Sequence, residues 1–308
     1  NKPDFLLTSE NPHGHAQYLI YQICIFLNIP IYKFTDWHLA PVLFLQNEIS
    51  KEIIYKSDKS YSKIDKKTDE DIKVYIDKFS IDPINYSLPY MDSQKKNKLF
   101  YSKVMNFFSD WNILNSPSLL NYLKDIKHNS NNLIRNLYNP INPYNLNFFT
   151  RLFIQLKRKN NIRKAIFKQK NEFDLNEKFI YFPLHFEPER TTNPDGDFFQ
   201  DQLIAILKLR SAVPDNIFIY VKEHPSQLLM ADDGSRGRSP VFYNILGNIK
   251  NVKFLSPEEN SIELINHSLF TSTICGSVSL ESAIIGKKSI IFGSCWFDGC
   301  PNIYKWNK

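Results

Sequence analysis

From Lys178 to Gly293 the sequence alternates short apolar runs with helical spacings: KFIYFPL, DFFQDQLIAILKLRSAV, NIFIYVKE, PVFYNILGNI, NVKFLS, SIELINH, LFTSTI, SVSLESAIIG and KSIIFG. Alternation at this pitch specifies a parallel, doubly wound sheet with right-handed crossovers. In such a sheet the ligand crevice borders the carboxyl ends of the strands, so chemistry is sought there first.

The first half opens in a related way. Residues 13–28 have helical spacing with Ala16, Leu19, Ile20, Ile23 and Leu27 on one side, and IPIYKF at 29–34 and PVLFLQ at 41–46 read as strands. The charged stretch from Ser57 to Asp71 reads as a solvated loop leading into a surface helix. Helices are expected at 93–110 and 117–127, and the Asn- and Pro-rich stretch 128–147 suits an irregular connection. The expected fold is α/β, with two Rossmann-like domains over 1–150 and 151–308 facing across a cleft.

A chain of 308 residues that is 43% hydrophobic has ample material for two cores. The net charge of +6 comes with Lys, Asn and Ile spread everywhere and with no recognition motif, so no nucleic-acid partner is expected. Cys24, Cys275, Cys295 and Cys300 have neither CxxC spacing nor the density of a disulfide scaffold, which fits a reducing cytosol. The longest apolar run, from Tyr18, contains Gln22 and Asn28 and falls short of the roughly 20 residues a span needs. Neither a transmembrane segment nor a signal peptide is expected. The sequence opens at Asn1 rather than Met, as a trimmed chain would.

Three strand ends carry chemistry. In YFPLHFEPERTTNPDG, 181–196, a strand runs into a turn holding His185, Glu187, Glu189 and Arg190, a set suited to acid/base or nucleophilic work. In YVKEHP, 220–225, Lys222, Glu223 and His224 end a strand that Pro225 stops. In STICGSVSLESAIIGKK, Gly276 and Ser277 form the turn into a helix with Glu281 one turn inside; free N–H groups there favour an anion such as a phosphate. Read singly, each has a plain alternative: a salt bridge of Glu187 or Glu189 to Arg190, a surface turn at His224, an ordinary helix start at Ser277. Their recurrence at successive strand ends of one sheet favours a site.

The motifs PLHFEPE, KEHP and GSVSLESAIIGKKSIIFG, with the opening ENPHGHAQYLIYQICIFLNIPIYKF at 10–34, resemble the bacterial capsule polysaccharide biosynthesis proteins. That group includes the retaining β-Kdo glycosyltransferases. The resemblance is strong from about Phe179 to Gly293 and patchy between the two regions. It implies a GT-B-like transferase using a CMP-activated 3-deoxy-ulosonic acid, Kdo or a nonulosonic acid such as pseudaminic or legionaminic acid. The acceptor is a glycan or glycolipid, the 1–150 domain is acceptor-side, and the 151–308 domain holds the nucleotide sugar.

The resemblance also implies residue roles. The family's His-Pro motif is associated with the donor phosphate and maps to His224 and Pro225; Lys222, by its own charge at the same strand end, is a further phosphate-contact candidate. The Ser/Gly-rich turn maps to Ser272, Gly276 and Ser277, with Glu281 at the ribose or base. The family's catalytic carboxylate follows Pro-Leu-Gln, whereas this chain reads Pro183, Leu184, His185. Glu189 is favoured as nucleophile and Glu187 comes second, with His185 as acid/base or sugar positioner. Arg190 either pairs with the donor's carboxylate or clamps a glutamate. Glu10, Asn11 and His13 are acceptor-side candidates, with a simple helix cap at Asn11 as the plainer option. Trp296 and Phe297 are further sugar-contact candidates.

No metal is expected, since no DxD turn or His/Cys spacing stands out and Asp195 and Asp197 read as the start of the next helix. Residues 151–170 form a basic helix, read as a solvated face or as a contact with anionic membrane at the inner face of the cytoplasmic membrane. Two other readings stay open: a UDP-sugar hexosyltransferase or epimerase of the same fold, and a non-catalytic polysaccharide assembly module.

Overall fold

The computed structural model describes residues 3–9, 12, 15–37, 42–48, 53–54, 66–81, 148–187, 192–229 and 237–307. The helices expected at 93–110 and 117–127 and the connection at 128–147 lie outside these residues, as do Glu10, Asn11, His13, Glu189 and Arg190.

The α/β class expected from the alternation is the one the chain adopts. Six strands form one sheet: β5 (Phe179–Pro183), β6 (Phe218–Lys222), β7 (Val252–Leu255), β8 (Thr271–Thr273), β9 (Ser289–Ile291) and β10 (Ile303–Lys305), in the order β10-β9-β8-β5-β6-β7. Every neighbouring pair is parallel. The chain walks outward from β5 to β7, then returns to the other side of β5 as β8. The topological switch therefore falls between β5 and β8, and their carboxyl ends are where the ligand crevice of such a sheet is expected.

The central strands are wedged between two helical layers. On one face Ile180, Phe182, Ile219 and Val221 pack with α3 (Phe148–Gln169), α4 (Gln202–Ala212) and α6 (Pro240–Gly247). On the other, Phe179, Tyr181 and Tyr220 pack with α7 (Ser261–His267) and α8 (Val278–Ile284). The helices change face where the strand order reverses, as a constant crossover hand requires. Burial of each such side chain is worth roughly 1.5–3 kcal/mol, and Phe179 stacks on Tyr220 with centroids 4.1 Å apart.

Start signals agree with this layout. Asp201 caps α4 by accepting from the Leu203 N–H at 3.0 Å, and Asn260 caps α7 by accepting from Ile262 at 2.9 Å. Asp197 opens a short 3-10 turn, Asp197–Gln200, rather than α4 itself. The basic helix α3 buries Ile162, Ala165 and Ile166, leaves Lys157, Arg158, Arg163 and Lys164 exposed, and also exposes Phe167 beneath Arg163.

The sheet's edges differ from the expectation. The strand β10 adds to β9, yet only Ile303 of it is buried. At the opposite edge residue 170 bridges to Phe254 in parallel, the Asn171 N–H donates to the Phe254 carbonyl at 2.8 Å, and the Asn171 Oδ1 accepts from the Phe254 N–H at 2.8 Å.

The N-terminal residues form a second sheet, β1 (Leu6–Thr8), β2 (Ile31–Trp37), β3 (Val42–Asn47) and β4 (Ile53–Ile54). With α1 (His15–Phe26), the parallel pair β1 and β2 makes the expected βα opening, but β3 and β4 are antiparallel. Of the stretch 57–71 expected as a solvated loop, residues 66–71 belong to α2 (Lys66–Ile81), and 57–65 lie outside the described residues. A buried chain of polar groups runs from this sheet toward the other: the Tyr21 hydroxyl donates to Glu48 at 3.1 Å, and Lys33 pairs with Glu48 at 3.0 Å and Asp195 at 3.4 Å.

Candidate functional site

The chain leaves β5 at Pro183, and two buried glutamine amides take up the backbone hydrogen bonds of His185 and Glu187 beyond it. The Gln202 Oε1 accepts from the His185 N–H at 2.7 Å, and its Nε2 donates to the His185 carbonyl at 3.3 Å. Gln227, on the short helix α5 (Ser226–Leu229), does the same for Glu187, accepting its N–H and donating to its carbonyl, both at 2.9 Å. Both glutamines are at most 3% exposed, so these bonds satisfy backbone groups that would otherwise be costly to bury.

The Glu187 side chain is also held. Its Oε1 accepts from the Gln202 Nε2 at 2.7 Å and from the Thr192 hydroxyl at 3.1 Å. An open cavity of about 460 Å³ lies beside it, between the N-terminal ends of α4 and α6, with Asp201, Gln202, Arg238 and Phe242 among its lining.

His185 turns the other way, toward β8. Its Nε2 accepts from the Cys275 backbone N–H at 3.3 Å and lies 3.1 Å from the Thr273 hydroxyl. A backbone N–H can only donate, so the proton of the neutral ring sits on Nδ1. Burial, reinforced by the nearby His224 and Arg238, pushes the ring's pKa down to about 3. The neutral ring thus turns its basic nitrogen to the Cys275 amide and presents an N–H at Nδ1. Gly276 lies against this ring: a Cβ there would stand 2.9 Å from the Thr273 hydroxyl and 3.4 Å from the imidazole. The glycine lets the β8 turn approach His185.

The second strand end is anchored by a fully buried carboxylate. Glu223 accepts from the His224 N–H at 2.7 Å, the Tyr243 hydroxyl at 2.7 Å and the Arg238 Nε at 3.3 Å. Arg238 also donates from Nη2 to the His185 carbonyl at 2.9 Å and lies over the Phe242 ring. The two strand ends are thus tied through one guanidinium. Ser226 donates its N–H to the His224 Nδ1 at 3.2 Å, which leaves the His224 proton on Nε2. Burial, with the charges of Lys222 and Arg238, lowers that ring's pKa to about 4.

The expected catalytic and donor-binding residues thus divide. His185, Glu187, His224, Pro225 and Gly276 come together at the ends of β5, β6 and β8. Lys222 points to the other face, where it donates to the Glu259 carbonyl at 2.7 Å and the Ser261 hydroxyl at 2.6 Å. Burial lowers its pKa to about 8, with the charges of Glu281 and Glu259 opposing. Ser272 lies fully buried inside β8, its Oγ without a partner among the described residues. Ser277 does not cap α8 but donates to Glu281 at 2.9 Å. Burial raises the Glu281 carboxyl, opposed by Ser277 and Lys222. Phe297 belongs to a small core with Ile291 and Ile303 rather than to a sugar surface.

Asp195 joins the site's margin. Its carbonyl accepts from Ser294 at 2.9 Å, and a Cβ on Gly293 would fall 2.6 Å from that same carbonyl. Gln202, Gln227 and Arg238 went unnoticed in the sequence because each looks like an ordinary helix-face or loop residue. The available signal was position: Gln202 and Gln227 open helices that follow β5 and β6, where side chains reach the crevice.

No protein-family model matches the chain, and no curated protein matches it by sequence. Among solved structures it is similar to the KpsC β-Kdo 2,7 transferase of Thermosulfurimonas dismutans, with 16% identity, TM-score 0.34, and 50% of this chain and 46% of that one covered. The KpsC β-Kdo 2,4 transferase of the same organism matches at 12% identity and TM-score 0.38, covering 100% of this chain and 76% of that one. The S. aureus MnaA–UDP co-structure matches at 19% identity and TM-score 0.27, covering 44% and 30%. The chain thus spans less than half the length of the first of these. Likenesses this loose carry no argument about activity, which is left to the site.

Among the described residues no group of three or more His, Cys, Asp or Glu is arranged to hold a metal ion, and no helix is long and apolar enough to cross a membrane.

Proposed function

We propose that the chain is a glycosyltransferase that moves a 3-deoxy-ulosonic acid, Kdo or a nonulosonic acid, from its CMP-activated donor to a glycan or glycolipid acceptor. The observation that carries the reading is the convergence of Glu187, the two neutral imidazoles of His185 and His224, and the Gly276 turn at the β5/β8 switch point. The sequence resemblance supplies the donor class.

In this reading the His224 Nε2–H donates to the donor phosphate, and the Gly276–Ser277 turn lies beside it. A carboxylate of the 187–189 segment attacks the anomeric carbon as the bond to the CMP phosphate breaks and CMP leaves. The acceptor hydroxyl then attacks the same carbon, the carboxylate departs, and the hydroxyl proton passes to solvent water. Glu189 remains a candidate nucleophile beside Glu187, with Arg190 at the sugar's carboxylate. Glu10, Asn11 and His13 are proposed for the acceptor side, within a GT-B-like pair of domains over 1–150 and 151–308. Transfer needs no metal in this scheme. A cytoplasmic setting and contact of the 151–170 helix with anionic membrane belong to the same proposal.

A thermal-shift panel with CMP, UDP, GDP and ADP tests the donor class, because a ligand that binds the native state alone raises the melting temperature. Stabilisation by CMP alone supports the reading, and CMP-Kdo and CMP-nonulosonates then become the donors to assay. Stabilisation by UDP instead would replace it with a UDP-sugar enzyme, and no shift with any nucleotide would replace it with a non-catalytic module.

A further inference from the structure

The Gln202 side chain makes a bond that the backbone clamp does not need. The pairing with the His185 N–H and carbonyl holds the backbone beyond β5, and Gln227 holds Glu187 in the same way with its own amide. Gln202 also reaches the Glu187 side chain, from Nε2 to Oε1 at 2.7 Å, its shortest contact as a donor. That amide has no freedom to turn over, since its Oε1 is spent on the His185 N–H. The Nε2 is therefore presented to the carboxylate by a side chain that is 1% exposed and rooted one residue past the Asp201 cap of α4. The Thr192 hydroxyl meets the same carboxylate oxygen at 3.1 Å.

Two donors on one oxygen fix the rotation of a carboxylate group. A carboxylate that merely filled space or paired with a surface cation would not require a buried, neutral, orientation-locked donor. An uncharged amide also holds it without neutralising it, which matters for a group that must attack or stabilise a developing cation. Positioning by such a neighbour commonly governs whether a reacting atom lies within about 3–3.5 Å of its target.

We infer that Gln202 is a positioning residue that orients the Glu187 carboxylate, and that Glu187 is the carboxylate acting on the donor sugar. This rests on the transferase reading above and narrows it from two glutamates to one.

The test is steady-state kinetics of the full chain with a CMP-ulosonate donor, as a function of pH, for the wild type, Gln202→Glu and Gln202→Met. In Gln202→Glu the acceptor for the His185 N–H is kept, but an oxygen replaces the Nε2 and faces Glu187. Two carboxylates so close cannot both ionise easily, so one binds a proton at raised pH. At pH 8 the expected kcat is at least about tenfold below wild type with KM for the donor little changed, as one misplaced reacting group can cost 10²-fold. As pH falls toward 6 the proton restores a donor to Glu187, so the kcat ratio of Gln202→Glu to wild type climbs. Gln202→Met loses kcat and shows no such climb. A CMP thermal shift equal to wild type verifies that a variant is folded; if Gln202→Glu fails this check, Gln202→Met alone decides by its loss of kcat at unchanged KM.

A folded Gln202 variant with wild-type kcat, or a loss expressed only in KM, overturns the positioning role while leaving the transferase reading intact. A wild type that binds no CMP and turns over no CMP-ulosonate overturns that reading itself, and this inference with it.

Discussion

Replacing Glu223 by Ala removes the carboxylate on which three donors converge, and the consequence can be worked from its surroundings. Glu223 is 0% exposed and Arg238 8% exposed, so the guanidinium keeps its charge in a buried position without its main partner. Breaking one side of a buried ion pair costs about 3–5 kcal/mol, and stranding the Tyr243 hydroxyl would add about 1–3 kcal/mol if nothing replaced the acceptor. These losses share one space and do not add in full. Water admitted to that space answers part of the demand, so the expected net is about 4 kcal/mol. Glu223→Gln keeps an acceptor oxygen and the volume but not the charge, for an expected loss of about 2 kcal/mol. Urea unfolding followed by circular dichroism reads both: with a slope of about 3 kcal/mol/M, the midpoints drop by about 1.3 M and 0.7 M. A Glu223→Ala midpoint within about 0.3 M of wild type would refute the reasoning, as would Gln proving worse than Ala.

Other outcomes are expected. The two imidazoles have folded pKa values lowered to about 3 and about 4, against about 6.5 unfolded. The unfolded chain thus binds more protons below pH 6.5, and stability is full above that value. It falls as pH drops toward 4, by up to about 1.4 kcal/mol per pH unit for each ring, and a urea midpoint flat from pH 7 to pH 5 would contradict the assignment. Gly196→Ala should cost about 1–3 kcal/mol, because the new Cβ would lie 2.4 Å from the Thr192 carbonyl. Gly247→Ala meets only the movable end of Gln169 and should be far milder, which thermal melts of the pair would check. Asp201→Ala deletes the α4 cap and should cost about 1 kcal/mol by the same melts. Turnover of a CMP-ulosonate donor is expected to persist in EDTA; loss with recovery on adding magnesium would overturn the metal-free scheme.

The sheet was legible because its strands are buried on both faces and read as unbroken apolar runs, as FIYF and FIYV do in β5 and β6. The strand β10 was not, since a single buried residue, Ile303, carries no period. His185, Glu187 and His224 were legible as polar residues where apolar runs stop. The contacts of Lys222 were legible in part: alternation along β6 puts it on the same face as Phe218 and Tyr220, toward Ser261. Ser272 likewise sits mid-strand rather than in the turn. The residues that hold the site together were hidden for a different reason. A glutamine amide satisfying a neighbour's backbone has no spacing rule, and Arg238 reaches Glu223 and His185 across loops whose approach depends on the tertiary fold.

The outer edge of β7 has a bearing on whether this sheet stays single. Its Phe254 amide and carbonyl are both occupied by Asn171, a residue contributed by the approach to the sheet and not by the sheet itself. Asn171→Pro would retain all six strands and the helix α3 yet remove the N–H and the Oδ1 that cover Phe254, leaving an open rim on β7, the kind of edge that recruits a second molecule. Concentration-dependent self-association of that variant, absent from the wild type, would reveal Asn171 as the stop that keeps one sheet from becoming two.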